Sequence, residues 1–453
     1  MSKKHIVVTI SKSFHIRNLI YSELFERLKT DFEVTVLFND NVTVPPEGVA
    51  LMSGVKIVSL KVREPKYEKY FAFIRKNVFA GLKRTQTYNL ISELEQPKSM
   101  LLYKVTKLLN SILGRYKIFG TLWSTFEGLF INGSEFDHIL KNSHMVICQN
   151  YGTEGFETRV LRSSNRVGCV SVAIVPSWDN LSSKGVISKK PDFLFVWNQQ
   201  MKGEAMQLHY FDKNAVKIVG ALQFDHYMHP NHGGGNVEAQ TTQIVYTTVT
   251  PKYFKYNLDV LECIIDMIER GVLPVNTSLI ARIHPQVLYD KAFGEDICKY
   301  QDLAENHECL QLSIPAMSDW GIFQVPMKSD FNHLKHLLSH STAVLSPAST
   351  IMIDAACVGT PSIGLGFDGR KTLKYNNSVR RMFDFTHLKY LKTFNCFEIA
   401  YSTQDFASIF SRIINNAAYR VNEMQSVVKH VADNERGDSS DRILVEINEI
   451  LRK

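Results

Sequence analysis

The order of apolar and polar positions predicts a chain of alternating strands and helices. The first forty residues run from the apolar stretch HIVVTI through the loop SKSFHIRN and the helical stretch LIYSELFERLKT to a second apolar run, FEVTVLFND. Strand, helix and strand in this order predict a parallel sheet with a ligand at the carboxyl ends of its strands. The loop lacks the glycine pattern G-x-G-x-x-G, so the usual dinucleotide fingerprint is not predicted.

The same alternation fills two halves of the chain. Further strands are predicted at HMVICQN, VGCVSVAIV, FLFVWN and VKIVGA, and then at QIVYTTV, SLIARIHP, TAVLSP and TPSIGLG. Between the halves, HPNHGGGNVEAQTT is rich in glycine and polar residues, which is typical of a linker. We therefore predict an α/β protein of two Rossmann-like doubly wound domains facing across a cleft, with a C-terminal helix. The first domain covers residues 1–228, the linker 229–242 and the second domain 243–453.

Composition is that of a soluble protein with a substantial core. The chain has 453 residues, of which 45% are hydrophobic and 21% charged, and its length suits two or three domains. No run reaches the ~18 apolar residues of a membrane-spanning helix, and the N-terminal MSKKHIVVTI does not read as an export signal. Seven scattered cysteines favour a reducing compartment over a disulfide framework. We expect a cytoplasmic protein.

Positive charge is concentrated in a helical insertion at about 61–130. Between Lys61 and Lys117 there are 13 Lys or Arg residues and 4 Glu, a surplus of nine. The segment mixes these cations with Tyr, Phe, Leu and Ile at partly helical spacing. It forms either ordinary surface helices or a basic face that rests on anionic lipid or holds an acidic acceptor. No RNP, helix-turn-helix or zinc-finger pattern accompanies it, so nucleic acid is not an expected partner.

The clearest candidate chemistry lies in SPASTIMIDAACVGTPSIGLGFDG, residues 346–369. Ser349 and Thr350 are N-cap candidates for a helix at 351–358, and Gly359 is in the position of a C-cap. A helix N-terminus suits a phosphate group. Asp354, one turn in, can reach a ribose hydroxyl beside that phosphate, or it merely complements the helix dipole.

This stretch resembles the C-terminal nucleotide-binding motif of GT-B fold glycosyltransferases. In that motif an acid and a small residue are followed by Gly and Pro, as Asp354 and Ala355 are followed here by Gly359 and Pro361. The resemblance implies that Asp354 holds the donor ribose, in place of the usual Glu, and that the two residues 349 and 350 meet the diphosphate. Many members have a phosphate-binding His or a catalytic Glu at the position of Ser346, and this chain has neither.

The second half also resembles glycerophosphotransferase-like and capsule-type GT-B enzymes, over ARIHP and HLKHLLSHSTAVLSPASTIMIDA. The resemblance makes Arg282 and His284 donor-binding candidates, since Arg can bind a diphosphate bidentately. The alternative for His284 is an ordinary histidine at a strand end. Thr247 and Thr248 follow the first strand of this half, where a hydroxyl-rich loop commonly meets phosphate.

In the first half, the loop VPSWDNLSSKG is the candidate acceptor site. Trp178 could stack on a sugar ring while Asp179 and Asn180 bind hydroxyls, although an Asx-type turn with a packed Trp would have the same sequence. Arg17, in the loop after the first strand, could anchor an acidic acceptor.

Two residues are candidates for the catalytic base. His15 follows the first strand, where several inverting GT-B enzymes carry a His, and a neutral imidazole with a pKa of about 6.5 can take a proton from a hydroxyl. The alternative is a loop histidine without a catalytic part, and Glu154 is the second candidate. The sequence contains no D-x-D, no H-E-x-x-H and no cluster of Cys and His. His229 and His232 are only a weak candidate for binding a metal ion. We expect no metal and no cofactor, since GT-B enzymes commonly stabilise the leaving diphosphate with helix dipoles and basic side chains.

The resemblance implies a metal-independent glycosyltransferase. It would move a sugar from a nucleotide-sugar donor to a glycan or lipid-linked acceptor in bacterial surface polysaccharide synthesis, as a cytoplasmic protein at the inner face of the membrane. Alternatives on the same fold are a nucleotide-sugar 2-epimerase and a glycerophosphotransferase. A non-catalytic carbohydrate-binding protein is the alternative of another class.

Overall fold

The chain folds into two compact units, as seen in a computed structural model. Unit 1 contains the described residues up to 225 and those from 438 onward, and unit 2 contains the described residues from 226 to 437. The structure describes residues 3–40, 46–62, 65–78, 85–94, 100–114, 116–153, 155–184, 186–228, 242–274, 276–289, 296–317 and 326–452.

Unit 1 is built on a parallel sheet of seven strands in the order β3-β2-β1-β4-β5-β6-β7. The chain runs outward from β1 and then returns to place β4 beside it, so the strand order reverses between β1 and β4. Ile6, Val7 and Val8 of β1 have no exposed surface, because helices cover both faces of the sheet. This double burial explains the continuous apolar runs in the sequence. The strands are β1 (His5–Ile10), β2 (Glu33–Asn39), β3 (Lys56–Leu60), β4 (Met145–Cys148), β5 (Val170–Ile174), β6 (Phe193–Val196) and β7 (Val216–Ile218).

Unit 2 repeats this architecture with six parallel strands in the order β10-β9-β8-β11-β12-β13. Its strand order reverses between β8 and β11. The predicted α/β class with two Rossmann-like domains is therefore confirmed. The strands are β8 (Thr242–Thr247), β9 (Thr277–Arg282), β10 (Leu310–Ser313), β11 (Ala343–Ser346), β12 (Ser362–Leu365) and β13 (Phe397–Ala400).

Helices connect the strands in both units. Those up to the end of unit 1's main segment are α1 (Ser13–His15), α2 (Glu23–Asp31), α3 (Pro46–Leu51), α4 (Lys66–Val78), α5 (Gln86–Leu94), α6 (Met100–Leu113), α7 (Lys117–Phe130), α8 (Asp137–Leu140), α9 (Gly155–Val167), α10 (Asn180–Ser183), α11 (Gln199–His209) and α12 (Asp225–Met228). The later ones are α13 (Asn257–Glu269), α14 (Pro285–Tyr289), α15 (Ile297–Asn306), α16 (Lys328–Ser339), α17 (Ile351–Cys357), α18 (Thr386–Lys392), α19 (Thr403–Ile414), α20 (Val421–Val427) and α21 (Ser439–Arg452). A π-helical turn at Ile16–Ile20 follows α1 directly.

The basic segment between β3 and β4 contains helices α4 to α7. One buried ion pair joins two of its helices, and a second holds it to its surroundings. Arg75 of α4 pairs with Glu127 of α7, and Glu68 of α4 pairs with Arg159 of α9. Arg75 also donates to the carbonyls of Val186 and of residue 153, at 2.9 and 3.0 Å. Charged side chains therefore form the contact between the inserted helices and the rest of unit 1.

The last helix, α21, belongs to unit 1, although the sequence analysis includes residues 438–453 in the second domain. Ile443 and Ile447 of α21 are fully buried, and the helix packs against α2. The carboxylate of Asp225 accepts hydrogen bonds from the first N–H groups of α21, at Ser439 and Ser440. The amphipathic pattern predicts this helix correctly, but the pattern does not show which unit its apolar face packs against. Residues 229–241 of the predicted linker lie outside the described residues.

Within the described ranges, no helix combines the length and apolar character that crossing a bilayer requires. All seven cysteines are free thiols in this structure.

The packing of α21 predicts opposite results for two substitutions two residues apart. Ile447→Ala removes a fully buried side chain and should lower the free energy of unfolding by about 2–5 kcal/mol. Val445→Ala, at a side chain that is 57% exposed, should change it by no more than about 0.5 kcal/mol. Urea unfolding of the full chain measures both. Equal effects of the two substitutions would contradict the packing of α21 in unit 1.

Candidate functional site

A pocket of about 270 Å³ lies in unit 1 at the carboxyl ends of β1, β4 and β5. This is the point where the strand order reverses, which is where open parallel sheets bind their ligands. Three of the four residues predicted to bind the acceptor line this pocket, namely Arg17, Asp179 and Asn180. The other lining residues are Phe14, Asn18, Gln149, Asn150, Tyr151, Thr153, Pro176, Ser177 and Lys184.

The polar lining of this pocket is rich in amides and cations. Arg17 is half-buried and donates from Nε to Oδ1 of Asn18 at 2.9 Å, while Lys184 is exposed at the rim. Gln149 donates from Nε2 to the carbonyl of His15 at 3.1 Å, which links the loop after β4 to the loop after β1. Amide groups beside cations are suited to a polar ligand such as a sugar bearing an anionic substituent.

Asp179 lines the pocket but its carboxylate organises its own loop. Oδ1 accepts from the hydroxyl of Ser177 at 2.5 Å and from Nδ2 of Asn180 at 3.2 Å, and Oδ2 accepts from the hydroxyl of Ser183 at 2.9 Å. Trp178 is only 5% exposed and does not line the pocket. This corrects the expectation of a sugar-stacking Trp: the ring packs in the interior, as in the Asx-turn alternative.

His15 is fully buried, and its ring faces the interior of unit 1 rather than the pocket. Nδ1 accepts from the backbone N–H of Ser11 at 3.3 Å and lies 3.8 Å from Oε1 of Glu157. Burial, with a smaller contribution from the charge of Lys12, lowers the pKa of His15 to about 3. A ring with this pKa is a weak base, and His15 is not among the residues that line the pocket. The second base candidate, Glu154, lies outside the described residues.

Glu157 is a buried acid that the sequence analysis did not single out. It lies on α9 with no exposed surface, and its Oε1 accepts from the hydroxyl of Thr9 at 2.6 Å and from the N–H of Gln149 at 3.3 Å. These bonds join α9 to the ends of β1 and β4. The available signal was its spacing three residues after Glu154, at the start of a helix that follows a strand end.

In unit 2, the residues predicted to bind the donor converge at the carboxyl ends of β8, β9 and β11. Thr247 donates from its hydroxyl to the carbonyl of Leu345 at 3.2 Å, which ties β8 to β11. The hydroxyl of Thr248 accepts from the backbone N–H of His284 at 2.7 Å, which ties the loop after β8 to the loop after β9. Both hydroxyls thus hold neighbouring strand ends together at the reversal point of this sheet.

Arg282 is buried and paired within unit 2. Its guanidinium donates to Oδ2 of Asp330 at 2.6 Å and to the hydroxyl of Ser313 at 3.2 Å. A buried charge needs such a partner, because an unpaired one carries a large desolvation cost. The observed bonds of the guanidinium therefore lie within unit 2, and binding of a diphosphate by Arg282 stays a prediction.

His284 is half-buried beside this ion pair. Burial first, and the charge of Arg282 second, lower the pKa of His284 to about 4. Nδ1 accepts from the backbone N–H of Gln286 at 3.2 Å, so the neutral ring carries its proton on Nε2. A neutral imidazole in this tautomer is a hydrogen-bond donor, which suits a phosphate or sugar oxygen.

The turn from β11 to α17 has an unusual backbone. Ala348 adopts φ of +68°, in the left-handed region that non-glycine residues rarely enter. Strain of this kind is found preferentially at ligand-binding sites. Ser346, just before it, is fully buried and its hydroxyl has no hydrogen-bond partner.

The predicted caps of α17 are partly realised. Thr350 occupies the N-cap position without a capping bond from its side chain, while the hydroxyl of Ser349 accepts from the N–H of Ile351 at 3.4 Å. Gly359 follows the helix with φ of +76°, as expected of a glycine C-cap. The two hydroxyl side chains therefore do not cap the helix strongly.

Asp354 is held in place by a residue far away in the sequence. Its Oδ1 accepts a hydrogen bond of 2.7 Å from the phenol of Tyr227, which is itself buried. Asp354 is half-buried in the first turn of α17, beside the turn that contains Ala348. The tether fixes the orientation of the carboxylate at the edge of the sheet. Tyr227 could be found only from the structure, because 127 residues separate it from its partner.

The described residues contain no group of three or more His, Cys, Asp or Glu side chains arranged to hold a metal ion.

Several solved structures have a fold similar to that of the whole chain. A candidate UDP-N-acetylglucosamine 2-epimerase from Listeria monocytogenes has a TM-score of 0.57 and 11% identity, over 98% of this chain and 95% of that chain. UDP-GlcNAc 2-epimerase from Neisseria meningitidis, bound to UDP-GlcNAc, has a TM-score of 0.56 and 11% identity, over 98% and 100% of the two chains. The complex of S. aureus MnaA with UDP has a TM-score of 0.54 and 11% identity, over 99% of this chain and 97% of that chain.

These likenesses show the fold, and this chain has the GT-B fold. No protein-family model matches the chain, and a search of curated proteins finds no match.

The buried histidines predict that stability falls in acid. The pKa values of His15, His209 and His284 are lowered to about 3, 4 and 4 in the folded chain, whereas an unfolded histidine has a pKa of about 6.5. Below that pH the unfolded state binds protons that the folded state does not, so folding loses up to about 1.4 kcal/mol per pH unit for each histidine. Urea unfolding should show the loss between about pH 6.5 and 4.

His209→Gln should make this pH dependence shallower, because it removes one of the three groups. Exposed His138→Gln is the matched control and should leave the slope unchanged. The slope is the quantity compared, since His209→Gln also weakens packing and the bond to the carbonyl of Leu181 at every pH. An unchanged slope in His209→Gln would contradict burial of a neutral ring.

Proposed function

We propose that this chain is a glycosyltransferase that uses a nucleotide-sugar donor bound by unit 2 and an acceptor held by unit 1. The observation that carries the proposal is the polar edge of the unit 2 sheet. There a tethered carboxylate, Asp354, lies beside the strained turn at Ala348. The combination matches the needs of a nucleoside diphosphate, whose ribose offers hydroxyl donors and whose phosphates are hydrogen-bond acceptors.

Within this proposal, Asp354 binds the ribose and the turn at residues 347–350 meets the diphosphate. The neutral ring of His284 donates from Nε2 to a phosphate oxygen, and the hydroxyls of Ser349 and Thr350 add further donors. Donors fixed in this way stabilise the charge that develops on the leaving diphosphate. Arg282 acts indirectly, because its ion pair with Asp330 holds β9 and α16 together.

The unit 1 pocket is the proposed acceptor site. Arg17 and Asn180 contribute to its polar lining, and Asp179 orders the loop that carries Asn180. Glu154 is the proposed base, because His15 faces Glu157 instead. Residue 153, directly before Glu154, lines the pocket. The proposed acceptor is a glycan or lipid-linked glycan of a bacterial surface polysaccharide, which would place the enzyme at the cytoplasmic face of a membrane.

A nucleotide-sugar 2-epimerase is the second candidate, because the solved structures reported above include a UDP-GlcNAc 2-epimerase, a candidate for the same activity and a complex of MnaA with UDP. This likeness, at 11% identity, supports the GT-B fold and a nucleotide-sugar ligand. Both are common to an epimerase and a transferase, so the likeness favours neither activity. The transferase is favoured by the amide-lined pocket in unit 1 and by the long helical insertion, which would provide for a bulky acceptor.

The donor site predicts selective loss of nucleotide binding in Asp354→Ala. A hydrogen bond to a charged group contributes about 1.5–3 kcal/mol, so the dissociation constant should rise about 10-fold to 150-fold. A panel of nucleoside diphosphates is screened by thermal shift, and the best is measured by calorimetry. Asp302→Ala, at an exposed acid of the same unit, is the control and should bind normally. Normal binding by Asp354→Ala, or equal loss in both variants, would refute the assignment.

Tyr227→Phe gives a finer result at the same site. It keeps the carboxylate but removes its tether, so the affinity for the nucleotide should fall less than in Asp354→Ala.

Product analysis separates the two candidate activities. Radiolabelled nucleotide sugar is incubated with the purified chain, first alone and then with membrane-extracted glycan acceptors. A transferase releases labelled sugar only to acceptor or, slowly, to water, whereas an epimerase returns an isomerised nucleotide sugar without any acceptor. Glu154→Gln should abolish transfer while leaving nucleotide affinity unchanged. Isomerised donor in the absence of acceptor would overturn the transferase in favour of the epimerase.

A further inference from the structure

Helices α6 and α7 have their polarity reversed relative to ordinary surface helices. On α6, the buried side chains include polar Thr106 and Asn110, at 6% and 4% exposure. The exposed side chains include the apolar residues Leu101, Val105, Leu108, Leu109 and Ile112. Their spacing follows the helical repeat, so they form one continuous apolar stripe that faces away from the protein.

Helix α7 shows the same reversal. Its buried acid, Glu127, pairs with Arg75, and Ser124 donates to the carbonyl of Ser188. Its exposed side chains include Ile118, Leu122, Phe126, Leu129 and Phe130, of which Leu129 is 74% exposed. A soluble protein normally turns such a stripe toward its core and rarely leaves a large apolar patch in water.

Aromatic side chains join α7 to α4. Phe71 of α4 contacts the rings of Trp123, Phe126 and Phe130 of α7 at centroid distances of 5.7, 6.0 and 5.6 Å. Helix α4 also packs along α6 and exposes Tyr70. The insertion is therefore one packed element whose inner contacts include charged and polar groups and whose outer side is apolar.

The charge around this apolar side is positive. Lys69, Lys104 and Lys107 are exposed on α4 and α6. Helix α6 contains no acid, and the only acids of α4 and α7, Glu68 and Glu127, are buried in ion pairs. The described outer side chains of these three helices thus carry cations and no anion.

We infer that the outer side of α4, α6 and α7 docks on the surface of an anionic lipid bilayer. An apolar stripe bordered by lysines is the pattern of a helix that lies in the interface plane, with its apolar side chains among the acyl chains and its ammonium groups at the phosphates. A second protein surface fits less well, because lysine is depleted at protein interfaces. The inference goes beyond the proposed reaction and does not require it, since docking is measured without any substrate.

Vesicle binding of the full chain tests the apolar part of this surface. The chain should co-sediment with vesicles of phosphatidylcholine mixed with phosphatidylglycerol. Leu108→Ser combined with Leu129→Ser should lower the partition coefficient about tenfold or more. Val272→Ser combined with Val445→Ser, at side chains that are 54% and 57% exposed elsewhere, is the matched control. All four positions are exposed, so the variants should keep the unfolding temperature of the parent chain.

The contribution of the lysines to docking is tested by reversing the charge at two of them. Lys104→Glu with Lys107→Glu should lower binding to the mixed vesicles about tenfold, and Lys213→Glu with Lys299→Glu, which are exposed elsewhere, should lower it much less. High salt of about 1 M, where the Debye length is about 3 Å, should weaken binding by the parent chain. Binding to pure phosphatidylcholine that equals binding to the mixed vesicles would overturn the anionic partner.

The competing occupant, a second copy of this chain, is tested by light scattering without lipid. A parent chain that remains monomeric and binds the mixed vesicles supports the inference. Self-association that the leucine substitutions abolish, together with no vesicle binding, would assign the surface to a protein contact instead. Absence of vesicle binding at low salt overturns the inference by itself, and it leaves the proposed transferase to be judged by its own nucleotide and product assays.

Discussion

Parallel pairing of the strands is the constraint on which both candidate sites depend. In a parallel sheet covered on both faces, the strands are mostly apolar, so they offer few groups for chemistry. Polar residues are admitted where the strands end, and parallel direction brings those ends to one edge. Arg17, Gln149 and Asp179 follow β1, β4 and β5 in this way in unit 1. Thr248 and His284 follow β8 and β9 in unit 2.

Some polar side chains at the same edge stabilise the protein itself, and these side chains are distinct from those proposed to bind a ligand. Asp179 uses both carboxylate oxygens on its loop, and Arg282 is neutralised by Asp330. A charge that is partly buried must find a partner, and the nearest partner is often another residue of the protein. His284 differs, because the observed bond of its ring, from the N–H of Gln286 to Nδ1, lies within its own loop. A charged residue at a strand end is therefore only weak evidence of a ligand-binding site.

Much of the fold could be predicted from the sequence, because strand and helix patterns are local. The βαβ opening, the strand before Ser346, the glycine after α17 and the terminal helix all follow from spacing within a few residues. The candidate site could be predicted as a set of positions but not as a set of roles. His15 lies close to Glu157, which is more than a hundred residues away, and Asp354 is held by Tyr227. No local pattern contains those contacts.

The helical insertion joins the basic surplus in the sequence to the reversed polarity in the structure. Its acids are few, and those with described side chains in α4 and α7 are buried in ion pairs. Once the acids are used in this way, the outer side is left with lysines and apolar side chains. The buried side chains of α6 and α7 include Thr106, Asn110 and Glu127, and the apolar stripes lie on the outer side. This is the orientation that a lipid surface requires and that a soluble core would oppose.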